Sequence, residues 1–198
     1  MKLNLIFISL ILSVFILIFS TLILIYDFSF YEKQAFTNGV YHSFGNKTYV
    51  DSLYFNLINY FYQGNLQGFT DEREISHLAD VKSFIKLLEV LFLILLITLI
   101  LLLYSYRNSL SSIFMLSFFM ILLFCVLLFL FNFINFNFLF DSFHRLLFIQ
   151  DSWKFYEGYL LLSLFPQQFF INSLIRILQY SLFFGFFIFS LGILVKQK

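Results

Sequence analysis

With 61% of its 198 residues hydrophobic and only 12% charged, the chain has too little polar surface for a water-soluble globule, whose apolar share is ~45–50%. A net charge of +1 without any block of like charge offers no footing for nucleic acid. The predicted class is an all-α integral membrane protein, one membrane domain over residues 1–198 with four transmembrane helices.

The first apolar stretch, residues 5–25, meets the ~20 helical residues needed to cross a ~30 Å hydrocarbon core. No small-x-small cleavage pattern follows in Tyr26-Asp27-Phe28-Ser29, so it reads as a retained helix rather than a signal peptide. Residues 26–83 are too many for a bare loop, and a small structured extracytoplasmic cap is expected there. Within it, 39–50 (GVYHSFGNKTYV) alternates loosely around Gly45-Asn46 and is compatible with a short β-hairpin. Asp51 reads as the N-cap of a short helix with Leu53, Leu57, Tyr60 and Phe61 at helical spacing, broken by Gly64 and Gly68. Asp71 and Glu74 then form a capping-box pattern, opening a helix that runs into the second span, 84–103.

A short loop with Arg107 leads to the third span, 113–131. Residues 132–170 include Trp153, Tyr156 and Tyr159, side chains that favour headgroup depth, so an interfacial segment is expected before the last helix. Pro166, the only proline, sits where a helix would begin, just ahead of the fourth span, 171–195. Lys2, Arg107, Lys196 and Lys198 share one side of a four-span chain. By the positive-inside rule both termini are cytoplasmic, and 26–83 and 132–170 are extracytoplasmic.

All three histidines fall in those two outer segments. Asp80 follows His77 by three residues, and Asp141 precedes His144 by three, so each imidazole has a carboxylate on its own helical face. A lone interfacial histidine most often makes only a local hydrogen bond; two matched pairs on one side argue for a shared site. Asn172, Arg176 and Gln179 mark one face of the fourth span. There Arg176 either snorkels to lipid phosphate or pairs with Asp141 or Asp151. The single cysteine, Cys125, lies in an apolar run and reads as a small buried hydrophobe. There is no HExxH, no GxSxG, no phosphate-cradling glycine loop and no paired-cysteine pattern.

Three groups of residues resemble the bacterial lipoprotein intramolecular transacylases, known as Lit. One is the outer helix Ser52-Leu53-Tyr54-Phe55-Asn56-Leu57-Ile58-Asn59-Tyr60 with the turn after it. A second is His77-x-x-Asp80-Val81-Lys82, entering the second span. The third joins Phe140-Asp141-Ser142-Phe143-His144-Arg145-Leu146-Leu147-Phe148, Asp151-Ser152-Trp153 and Leu164-Phe165-Pro166-Gln167-Gln168-Phe169-Phe170. Gln167 departs from the Glu more usual after the proline. The resemblance implies a membrane acyltransferase of the bacterial cytoplasmic membrane acting at the outer leaflet. Its partners would be diacylglyceryl-modified lipoproteins and membrane lipid, and it would need no cofactor. The sn-2 acyl chain would pass to the α-amino group of the same cysteine, giving the lyso-form lipoprotein. His77 and His144 would be the catalytic residues. The residues around them expected to support the site are Asp80, Lys82, Asp141, Asp151, Trp153 and Arg176.

An enzyme whose substrate contains both nucleophile and ester needs no nucleophile of its own, consistent with the missing serine and cysteine motifs. Two other readings compete. One is a metal-dependent membrane hydrolase using His77, Asp80, Asp141 and His144, although carboxylates at i+3 are not a recognised zinc spacing. The other is a non-catalytic assembly protein that uses the outer segments for docking. Oligomeric state leaves no mark in the sequence.

Overall fold

The computed structural model describes residues 2–148 and 153–196. Every regular element among them is helical: α1 (Lys2–Ile25), α2 (Phe28–Thr37), α3 (Val40–Phe44), α4 (Lys47–Tyr62), α5 (Glu72–Ser105), α6 (Leu110–Leu147), α7 (Leu160–Leu164) and α8 (Gln167–Lys196). Four helices, α1, α5, α6 and α8, are long and apolar enough to cross a membrane. At 34 residues α5 is about 51 Å long. Only 84–103 is needed to span, and the turns holding Glu74 and His77 precede that stretch.

The chain forms two compact units. The first comprises Met1–Leu22, Leu88–Ile134 and Leu174–Lys198. Its core is Ile8, Leu12, Ile16, Leu99, Ile113, Ile121, Cys125 and Leu178. Because lipid is as apolar as leucine, such a bundle is held by close packing and interhelical hydrogen bonds. Ser9 Oγ donates to the Ile113 carbonyl at 3.2 Å, Ser13 Oγ to Ser117 at 3.1 Å, and Ser117 Oγ back to Ser9 at 3.2 Å. Small residues also permit close approach: a Cβ on Gly192 would stand 3.1 Å from Phe114 Cβ. Outward-facing Ile94, Ile97, Ile100 and Leu101 leave α5 apolar where water would demand polarity.

The second unit comprises Ile23–Leu87 and Asn135–Ser173. The expected hairpin is absent: no strand occurs among the described residues, and 39–50 folds as α3 and the first turn of α4. Gly45, at φ 65°, closes α3 in the left-handed conformation, and Asn46 opens α4 by accepting from the Tyr49 N–H at 3.0 Å. Asn46, not Asp51, is therefore the N-cap. Asp51 lies inside α4, where it accepts from Tyr41 and pairs with Lys47. Nor is 26–83 a separate cap, since it packs as one unit with 135–173.

Tyr54 is the centre of that packing. It is fully buried between Tyr31 and Phe165, and its hydroxyl donates to the Leu164 carbonyl at 2.7 Å. Gln34, also buried, accepts from Asn172 Nδ2 at 2.6 Å and from Asn38 Nδ2 at 3.3 Å, which joins α2 to the first turns of α8. Residues 132–147 are helical: α6 continues to Leu147 with an interruption at Asn135 (φ −157°, ψ 80°). The Asn135 side chain caps the continuation by accepting from the Phe138 N–H at 3.0 Å. Pro166 stands where predicted, directly before α8, with its carbonyl accepting from Phe169.

Candidate active site

α5 contributes Glu74 and His77 from successive turns of one face, both buried. α6 contributes Phe140 and His144, also one turn apart. The two imidazoles lie 6.3 Å apart, centroid to centroid, with planes inclined by 25°. The chain after α6 completes the surroundings. Phe155 meets His77 at 5.4 Å, Trp153 meets His144 at 4.8 Å, and Phe148 touches both rings, at 5.1 and 5.6 Å.

His144 Nδ1 is 2.7 Å from the Phe140 carbonyl. A carbonyl only accepts, so Nδ1 bears the proton, and in the neutral ring Nε2 is left with the basic lone pair. Burial lowers the His144 pKa, against the opposing influence of the Phe140 carbonyl and the Asp141 charge. Burial likewise pushes His77 down to about 4; the adjacent His144 adds to the shift and the Asp80 charge opposes it. Both rings are therefore neutral near pH 7. His77 Nδ1 is buried without a hydrogen-bond partner. A bare lone pair is the cheaper group to strand there than an N–H, so the favoured tautomer has its proton on Nε2.

Glu74 is 2% exposed, and its Oε1 accepts from the Leu161 N–H at 2.7 Å. Asp71 caps α5 as expected, accepting from Arg73 and Glu74 N–H groups. The reciprocal half of a capping box is missing, because the Glu74 carboxylate is engaged at α7 instead. Burial raises its pKa, opposed by the Leu161 N–H.

Of the residues predicted to support the site, Asp80 and Asp141 reach the imidazoles through charge. His77 Nδ1 is unpartnered, and His144 Nδ1 is bonded to Phe140. Lys82 donates to the Gly64 carbonyl at 3.2 Å and lies 4.0 Å over the Tyr60 ring, tying α4 to α5. Trp153 is in contact with His144. Arg176 belongs to the other unit, over the ring of Tyr180 at 5.8 Å. Asp151 lies outside the described residues. Sequence reasoning missed Glu74 and Phe155. Glu74 had a usable signal, three residues before His77 on its face, that the capping pattern concealed. Among the described residues no three His, Cys, Asp or Glu side chains converge as metal ligands, so the hydrolase reading gains no geometric support.

The fold is similar to the in meso structure of the membrane integral lipoprotein intramolecular transacylase Lit from Bacillus cereus. The TM-score is 0.86 at 21% identity, covering 100% of this chain and 98% of that one. Two variants of that protein, with a histidine replaced by arginine and by alanine, align with a TM-score of 0.85 at 20% identity. They cover 99% of this chain and 92% and 93% of theirs. No curated relative matches the sequence. Residues 6–170 match the family described as lipoprotein intramolecular transacylase Lit. This multi-pass membrane protein is thus a transacylase that belongs to the Lit family.

Proposed function

We propose that the chain moves the sn-2 acyl group of a diacylglyceryl-cysteine lipoprotein to the α-amino group of the same cysteine, using His77 and His144. The amine nitrogen attacks the ester carbonyl, a C–N bond forms, and the bond to the glyceryl oxygen breaks. The proton lost by nitrogen ends on that oxygen, leaving an N-acylated cysteine with one remaining glyceryl ester. Holding amine and ester together is worth ~7–11 kcal/mol of the barrier.

The observation that carries this reading is the pair of neutral imidazoles in an aromatic enclosure. His144, whose Nε2 lone pair is fixed by the Phe140 bond, is the base that takes the amine proton as the tetrahedral adduct forms. His77, protonated on Nε2, keeps its proton and hydrogen-bonds to the oxyanion, while the imidazolium of His144 passes the amine proton to the departing glyceryl oxygen and returns to neutral. At a pKa of about 4 His77 would be a weak base, which suits it to the donor role. The positive-inside rule applied to Lys2, Arg107, Lys196 and Lys198 supports cytoplasmic termini, with the histidines at the outer leaflet of the bacterial membrane. Mass spectrometry of lipoprotein N-terminal peptides from cells making diacylglyceryl lipoproteins tests it. N-acyl, singly esterified peptide should appear only when this chain is expressed, and its absence would refute the assignment.

A further inference from the structure

Trp153 and Phe155 come from the connection between α6 and α7, in which residues 154–159 form no regular helix. Trp153, Phe155 and Tyr159 are half-buried, while Lys154, Tyr156, Glu157 and Gly158 are exposed. A stretch with so few buried contacts and Gly158 at φ 103° has little local reason to keep one position. The stretch leads directly into α7, and the Glu74 carboxylate fastens α7 to α5 by accepting from the Leu161 N–H at 2.7 Å. Leaving a carboxylate 2% exposed is costly unless it is hydrogen-bonded, so burial here is explained by the bond it makes. The bond begins one turn from His77 on the same face of α5, so the anchor and the imidazole share one rigid support.

We propose that Glu74 is a positioning residue for the transacylation. Its carboxylate fastens the first turn of α7 to α5, fixing the end of the 153–159 strap, and thereby sets Phe155 against His77 and Trp153 against His144. The inference rests on the two-histidine reading for its effect on rate but not for the fastening itself. A carboxylate oxygen and an amide oxygen both accept from a backbone N–H, so acceptance rather than charge is what the role requires.

Trp153 is the only tryptophan, so its fluorescence reports the strap without any substrate. Glu74→Ala should red-shift Trp153 emission and increase its quenching by acrylamide, with kcat lower by about 10- to 100-fold, KM little changed and an unaltered pH profile. Glu74→Asp, one methylene short of α7, should shift the emission in the same direction. Glu74→Gln should restore both the emission and most of the rate. Wild-type emission and quenching in Glu74→Ala would overturn the proposal, as would Glu74→Gln being as slow as Glu74→Ala. Should Glu74→Ala fail to insert, the Asp and Gln variants decide the matter by the same two readouts. If histidine variants stay active while Glu74→Ala still frees Trp153, the two-histidine reading fails and the fastening stands.

Discussion

His144 donates from Nδ1 to the carbonyl of Phe140, one helical turn earlier, at 2.7 Å. A side chain bonded to its own helix cannot swing, and the bond dictates which nitrogen is left basic. The asparagine side-chain nitrogen occupies roughly the place of Nδ1. His144→Asn should therefore keep the Phe140 bond and a near-normal unfolding temperature yet lose transacylation by about 10²-fold or more. Substantial activity in that variant would show that Nε2 is not the working atom.

The neutral His77 has a stability consequence. The unfolded chain binds a proton at this residue near pH 6.5, whereas the folded chain does so only near 4. Its stabilising contribution is complete above pH 6.5 and is lost as pH falls to 4, by up to about 3 kcal/mol. Thermal unfolding in detergent should drop across that window in the wild type and less steeply in His77→Ala. Parallel curves would mean that His77 titrates normally in the fold.

Tyr54→Phe isolates the packing of the second unit. It strands the Leu164 carbonyl, now paired at 2.7 Å, in a buried position, and should cost about 1–3 kcal/mol. Denaturant or thermal unfolding measures this; an unchanged midpoint would mean the hydroxyl bond contributes nothing net.

Topology rests on the distribution of basic residues. With Cys125 replaced by Ser, Asn46→Cys should react with an impermeant thiol reagent added to intact cells. Labelling only after the membrane is broken would reverse the orientation and place both histidines inside.

Much of the fold is legible in the sequence. Apolar runs of about 20 residues such as 84–103 and 113–131 match the length of a membrane-crossing helix, which satisfies every backbone group within the segment. The turn at Gly45-Asn46 was misread for a definite reason: glycine at positive φ followed by asparagine suits a hairpin turn and equally a helix C-cap followed by an N-cap. Local sequence does not separate the two. Glu74 was hidden differently. Its partner, Leu161, is 87 residues away, and a backbone N–H leaves no trace in a side-chain pattern. The carboxylates three residues from each histidine were visible, but the acceptor at His144 Nδ1 is the Phe140 backbone carbonyl, which no side-chain pattern reveals.

His77→Ala and His144→Ala, each expressed in cells with no other transacylase, test the central claim most directly. Both residues lie outside the 84–103 and 113–131 spans, so insertion should persist. The ratio of N-acyl, singly esterified peptide to diacylglyceryl peptide should fall by about 10²–10⁴-fold in each variant. His42→Ala, whose imidazole is at the end of α3, should leave that ratio unchanged. A near-normal ratio in either the His77 or the His144 variant would contradict the two-histidine account.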